Sequence, residues 1–136
     1  MKNALKDSSN RIITYLRISI TDNCNFRCAY CSPNGLVDKI TNGAILSAGE
    51  TVRLAGIFAS LGVKKVRLTG GEPLLRRELS EIIRGIKGFP EIGDISITTN
   101  GVLLGRLSAE LKEAGLNRIN MSVPSLNAAR YREITG

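Results

Sequence analysis

The sequence predicts an α/β fold in which parallel (β/α) units make up about half of a partial (β/α) barrel. Two observations carry that expectation. Strand-like and helix-like patterns alternate along the sequence, and the segments between successive strands are long enough for a helical crossover, which implies parallel pairing. The strands and helices found in this way supply half of a closed barrel, for which about 250 residues is typical. Their crossovers should be right-handed.

The elements follow in order. Arg11 to Ile20 contains Ile12, Ile13, Leu16, Ile18 and Ile20, alternating at its end, and reads as the first strand. A polar loop bearing the cysteines runs from Thr21 to about Leu46. Ser47 and Glu50 form a capping box, and Leu54, Phe58 and Leu61 then share a helical face with Val52 and Ala55. Gly62 is a natural stop. Val63 to Leu68 is a second strand, ending in the turn Thr69-Gly70-Gly71-Glu72-Pro73. A second helix carries Leu79, Ile82, Ile83 and Ile86, and Asp94 to Thr98 is a third strand closed by Asn100-Gly101. The third helix runs through Leu104, Leu107, Leu111 and Ala114 to Gly115, and Arg118 to Val123 is the fourth strand. No repeat, linker or low-complexity stretch interrupts the pattern. Half a barrel leaves an open sheet edge, so a partner or a second copy should cover it.

Composition narrows the class. Aromatic residues make up 4% and Trp is absent, so the core must be aliphatic. No apolar run nears the roughly 18 residues of a membrane span, and Met1 to Asp7 has no apolar stretch behind it to act as a signal. A cytoplasmic protein without a membrane partner is expected. The net charge of +7 fits either an anionic partner or a solvated basic surface. Basic residues are scattered and stacking aromatics are few, which argues against nucleic acid; a nucleoside triphosphate fits the same charge.

The compositional anomaly is three cysteines within eight residues. An odd number argues against a closed disulfide framework, and in a reducing cytosol clustered thiols point to metal or catalysis. Cys24, Cys28 and Cys31 stand at C-x-x-x-C-x-x-C spacing just after the first strand. Iron–sulfur cubanes take four cysteine thiolates. Three would grip three irons and leave the fourth open, and an open position marks a catalytic rather than a structural metal site. A structural zinc site remains an alternative, with Asp22, Asp38 or a partner's residue as fourth ligand because the chain has no His. Incidental buried cysteines are another. An electron-transfer ferredoxin would need a fourth cysteine.

In the second turn, Gly70 and Gly71 would let a backbone approach a ligand closely, and the Glu72 carboxylate could accept from an ammonium group. The cysteine loop, this turn, Thr98 to Gly101 and Ser122 to Ser125 all fall at C-terminal strand ends, where parallel barrels bind ligands.

The cysteine spacing followed by Gly-Gly-Glu-Pro resembles the signature of radical S-adenosylmethionine (SAM) enzymes, which use a partial TIM-type barrel. The resemblance implies a [4Fe-4S] cluster held by Cys24, Cys28 and Cys31, with SAM chelating the fourth iron through its amino and carboxylate groups. It further implies reductive cleavage of SAM to methionine and a 5′-deoxyadenosyl radical. Tyr30 would lie beside the adenine, and Gly70, Gly71, Glu72 and Ser122 would contact SAM. Phe26 would pack around the cluster or serve as plain core.

The likeness extends further. Leu16-Arg17-Ile18-Ser19, Thr21-Asp22, Pro33, Val66 to Arg77, Thr98 to Gly101, Ala114-Gly115-Leu116, Asn120, Ser122 and Ser125-Leu126 resemble the N-terminal half of the GTP 3′,8-cyclase family of molybdenum cofactor (molybdopterin) biosynthesis. That implies GTP as substrate, abstraction of its ribose 3′ hydrogen, closure of C3′ onto C8, and contacts from Arg17, Arg67 and Thr98. Arginine offers a planar fork suited to phosphate or guanine oxygens. Residues 1–136 then read as the N-terminal part of a radical SAM core domain, without the remaining barrel half or the family's second-cluster cysteines. Pro124 and Asn127 stand where the family has Asp, and Ser32 where it has Met. The alternatives are a radical SAM enzyme with another substrate, or a shortened non-catalytic cluster- or nucleotide-binding module.

Overall fold

A computed structural model describes residues 4–31 and 45–136; Ser32, Pro33 and Asp38 lie outside the described residues. One sheet of four parallel strands, in the order β1-β2-β3-β4, organises the chain. The strands are β1 (Tyr15–Ser19), β2 (Lys65–Thr69), β3 (Asp94–Thr99) and β4 (Arg118–Met121). Between and after them come α1 (Ala48–Ser60), a single 3-10 turn (Pro73–Leu75), α2 (Leu79–Lys87), α3 (Leu104–Glu113) and α4 (Ala128–Thr135). The expected half barrel of parallel β/α units is present. Its first strand is shorter than the apolar run suggests, because Ile12 belongs to an antiparallel bridge with Lys6 outside the sheet. The fourth strand stops at Met121 rather than Val123.

Alternation gives the sheet two different faces. The rows Leu16↔Val66↔Ile95 and Ile18↔Leu68↔Ile97↔Ile119 carry the apolar face, which meets Ala55, Ile82, Ile83, Ile86 and Leu111 in the core. Burial of such aliphatic side chains contributes about 25 cal/mol per Å². The other face carries Arg17↔Arg67↔Ser96↔Arg118, with Ser19↔Thr69 and Thr98↔Asn120 nearer the strand ends. A parallel sheet covered on both sides is normally apolar on both. This polar row therefore fits a face that meets a ligand or solvent rather than a packed layer.

The Ser47–Glu50 capping box starts α1 as expected: Ser47 Oγ accepts from the Glu50 amide at 3.2 Å, and Glu50 Oε2 accepts from the Ser47 amide at 2.8 Å. The buried stripe differs from the predicted one. Ala48, Thr51, Ala55 and Ala59 face inward, and Leu54 and Phe58 pack at the margin. The reason is close approach. A side chain at Gly56 would meet the Phe89 ring at 2.5 Å, and one at Gly85 would meet Val52 at 2.5 Å.

β4 is exposed along its whole length, with Ile119 at 41% and Met121 at 54%; this is the open edge the sequence anticipates. The helix after it, α4, was not anticipated. Asn127 caps it by accepting from the Arg130 amide at 3.0 Å. Among the described residues no helix is long and apolar enough to cross a membrane.

Candidate functional site

The cysteine loop begins where β1 ends, and the Gly-Gly-Glu turn holds its start. Ile20 extends the ladder by donating to the Thr69 carbonyl at 2.9 Å. Beyond it, the Gly71 amide donates to Thr21 O at 2.8 Å and the Glu72 amide to Asn23 O at 2.7 Å. A Cβ on Gly70 would stand 2.2 Å from Thr21 O, and one on Gly71 2.3 Å from Asn23 O; Gly70 also has φ +146°. The space that glycine leaves open here is filled by the chain itself. These glycines join the turn to the cysteine loop, and they also line the adjoining cavity.

Glu72 is 1% exposed. Its Oε1 accepts from the Leu74 amide at 3.0 Å and the Thr99 hydroxyl at 2.6 Å, and its Oε2 from the Asn100 amide at 2.8 Å. The carboxylate thus ties the end of β2 to the end of β3. All of these donors are neutral, and none of the ion pairs among the described residues involves Glu72. Burying a carboxylate without a cation is costly, and Oε2 retains acceptor capacity. An ammonium group would complete this site.

A cavity of about 210 Å³ opens beside Glu72. All three cysteines line it, together with Tyr30, Gly70, Gly71, Arg17, Thr98 and Ser122. Cys28 is buried, and Cys24 and Cys31 are exposed. The Phe26 amide donates to Cys24 Sγ at 3.4 Å, and the Cys31 amide to the Cys28 carbonyl at 2.9 Å. Burial, followed by the neighbouring Cys28 and Cys24, raises the Cys31 thiol above its usual pKa. The Tyr30 hydroxyl is pushed up to about 12, first by its hydrogen bond to Cys28, then by burial and by the charges of Cys28 and Cys31. Among the described residues no three His, Cys, Asp or Glu side chains are placed to hold a single metal ion. The donor set is therefore three soft sulfurs lining one cavity. A multi-iron cluster can use such a set, since each thiolate takes its own iron.

Arg17 reaches Thr69 Oγ1 with its Nε at 3.5 Å, and Ser122 is held at the mouth by its amide on the Thr99 carbonyl at 2.8 Å. Arg67 stands apart from this cavity. Its Nε reaches Ser96 Oγ at 3.4 Å, and its guanidinium lies 5.4 Å from the Tyr15 ring centre, a cation–π contact. As register partners, Arg17 and Arg67 nevertheless leave the same face of the sheet.

Two features of the site were not read from the sequence, the role of Asn100 and the helix α4. Asn100 fixes the third strand end through its Glu72 bond and by donating Nδ2 to Asn25 Oδ1 at 2.8 Å. α4 closes one wall: Thr135 lines the cavity, and the Phe26 ring meets Tyr131 edge-on at 6.1 Å. The available signal was Asn127, a favoured N-cap residue. Asp would cap equally well, so Asn at this departure from the family changes the charge and keeps the cap. Pro124, a further departure, lines the cavity.

Comparison with known proteins places the chain in a family. The chain is 49% identical over 131 residues to GTP 3′,8-cyclase of Listeria monocytogenes, covering 96% of this chain and 39% of that protein. Against GTP 3′,8-cyclase of Syntrophomonas wolfei it is 51% identical over 129 residues, covering 95% of this chain and 40% of the relative. The chain thus spans about two fifths of the length of these curated relatives. The fold matches BtrN, solved in complex with AdoMet and 2-DOIA, with a TM-score of 0.65 at 20% identity over 91% of this chain and 55% of BtrN. It matches methylornithine synthase (PylB) with a TM-score of 0.60 at 22% identity over 90% of this chain and 37% of that one. Residues 18–136 match the family described as the Radical SAM superfamily. The chain belongs to the radical SAM superfamily.

Proposed function

We propose that residues 1–136 are the N-terminal part of a radical SAM core domain of the GTP 3′,8-cyclase type, a lyase of molybdenum cofactor biosynthesis working in the cytoplasm. The observation that carries this reading is one cavity at the strand ends, lined by all three thiols and by a buried carboxylate with no cationic partner among the described residues. Cys24, Cys28 and Cys31 supply thiolates to a [4Fe-4S] cluster, leaving one iron for SAM. When bound and reduced, the cluster supplies the electron that splits SAM into methionine and a 5′-deoxyadenosyl radical.

The chain's own residues then position and shield. Glu72 Oε2 offers its remaining acceptor site to the SAM ammonium, next to the Gly70-Gly71 backbone. Tyr30 and Ser122 flank the nucleoside part. Arg17 and Arg67 present adjacent cationic forks from the polar face, and with Thr98 they hold GTP; paired like charges attract an anion strongly. The aliphatic core behind the sheet excludes water from the other side. The exposed β4 edge is where later barrel strands of a longer protein, or a second copy, would pair.

The test is anaerobic reconstitution of the full-length protein with iron and sulfide, followed by incubation with SAM, GTP and a reductant. The expected products are 5′-deoxyadenosine and a GTP derivative closed between C3′ and C8. SAM cleavage with GTP untouched would overturn the substrate. Absence of bound iron would overturn the cluster as well.

A further inference from the structure

Backbone amides near an iron–sulfur cluster are part of its electrochemistry. Those that donate to cluster sulfurs stabilise the added charge of the reduced form and raise its potential. The loop around Cys28 commits its amides unevenly. Phe26 donates to a cysteine sulfur, but the Arg27 amide donates to the Thr135 carbonyl and the Ala29 amide to the Ile134 carbonyl, both at 2.9 Å.

On the helix side, Gly136 adopts φ +82° and returns its amide to the Arg132 carbonyl at 3.0 Å. Tyr131 fixes the docking, with its ring 6.1 Å from Phe26 at an interplanar angle of 80°. Thr135 is 5% exposed and anchors its own hydroxyl on the Tyr131 carbonyl at 2.9 Å. α4 therefore occupies two loop donors and presents the carbonyl oxygens of Ile134 and Thr135 to the loop. Both effects make an electron harder to add.

We propose that α4 is a clamp on the cysteine loop that lowers the reduction potential of the cluster and so strengthens it as a reductant, with Tyr131 as the positioning residue. This rests on the reading that Cys24, Cys28 and Cys31 hold a cluster. The sharpest perturbation is Tyr131→Ala in the full-length protein, with Tyr131→Phe as the conservative control. Two readouts are taken: the midpoint potential of the reconstituted cluster, and hydrogen exchange of the Arg27 and Ala29 amides in iron-free protein. Tyr131→Ala should move the potential upward and speed exchange of both amides by about tenfold or more, as expected when a local contact opens. Tyr131→Phe should restore wild-type values, because the ring remains.

An unchanged potential and unchanged exchange in Tyr131→Ala would overturn the clamp. If that variant takes up no iron, Gly136→Ala serves instead. A side chain there is strained by the left-handed backbone and meets Arg27 Cβ at 3.2 Å, so the potential should again rise; no rise would overturn the proposal. If wild-type protein itself binds no iron, the cluster reading fails. Exchange in the iron-free protein would still decide whether α4 holds the loop.

Discussion

Leu68 and Thr69 are neighbours in β2, yet they serve opposite faces of one sheet. Leu68 is fully buried against the helices with Ile83 and Ile97. Thr69 belongs to the other face, where its hydroxyl meets Arg17 Nε. The apolar face is filled by side chains from α1, α2 and α3 as far as β3. The polar face ends in a cavity bordered by thiols, Arg17 and a buried carboxylate. Stability resides on one side and binding on the other, and substitutions should separate them.

The widest separation comes from paired alanines. Leu68→Ala should cost about 3 kcal/mol by leaving a cavity in the core, measured as a lower midpoint in urea. Thr98→Ala, facing the other way, should cost under about 1 kcal/mol while weakening GTP binding in the full-length protein. Equal stability losses would erase the distinction between the faces. Glu72→Ala sits at the seam. Buried donors orphaned by its loss cost about 1–3 kcal/mol each, so a net loss of about 2 kcal/mol is expected after water fills part of the gap, together with lost SAM affinity in an equilibrium binding assay. Full retention of SAM affinity would leave Glu72 as a brace alone.

The strand–helix alternation was legible because amphipathic patterning and caps are local. Ser47 and Glu50 fix the start of α1, and the Ile95–Ile97 spacing marks one face of β3. What could not be read depends on contacts distant in sequence. α4 buries only Thr135 in its helical span, so periodicity gives it little weight; its place comes from docking on residues 26–29. Gly70 and Gly71 were legible as special, but that they abut Thr21 and Asn23 appears only once β1 and β2 pair. Arg17 and Arg67 look equivalent in sequence. Tyr15 and Ser96 engage Arg67 away from the cavity that Arg17 lines.

The polar side should also show a pH signature. Cys31 is held above the ordinary thiol value by burial and then by Cys28 and Cys24, so as the proposed iron ligand it would have to lose a proton on binding. Cluster loading should therefore strengthen as pH rises, by about tenfold per unit for each proton released, followed as iron uptake at fixed iron and sulfide. Loading independent of pH would mean that Cys31 is not a ligand.

The smallest effect belongs to the apolar side. Ser47→Ala should cost about 1 kcal/mol by removing the α1 cap. Glu50 has its carboxyl pKa lowered by the Ser47 amide and then the Ser47 hydroxyl. The Glu50 contribution is present above its unfolded value and is lost as pH falls through the lower folded one; Ser47→Ala removes only the hydroxyl's share of it, so the gap between wild type and variant should narrow in acid without closing. Thermal melts across that range would show a gap independent of pH if the bond between the Ser47 hydroxyl and Glu50 contributed nothing.

The central claim concerns three thiols and the iron they leave open. Electron paramagnetic resonance of the reduced, reconstituted full-length protein, recorded with and without SAM, tests it most directly. The account predicts a [4Fe-4S]⁺ signal that changes when SAM is added, and loss of that SAM-dependent change when Cys24, Cys28 and Cys31 are replaced together by alanine. A SAM-dependent change that survives the triple replacement, or zinc bound in place of iron, would contradict it.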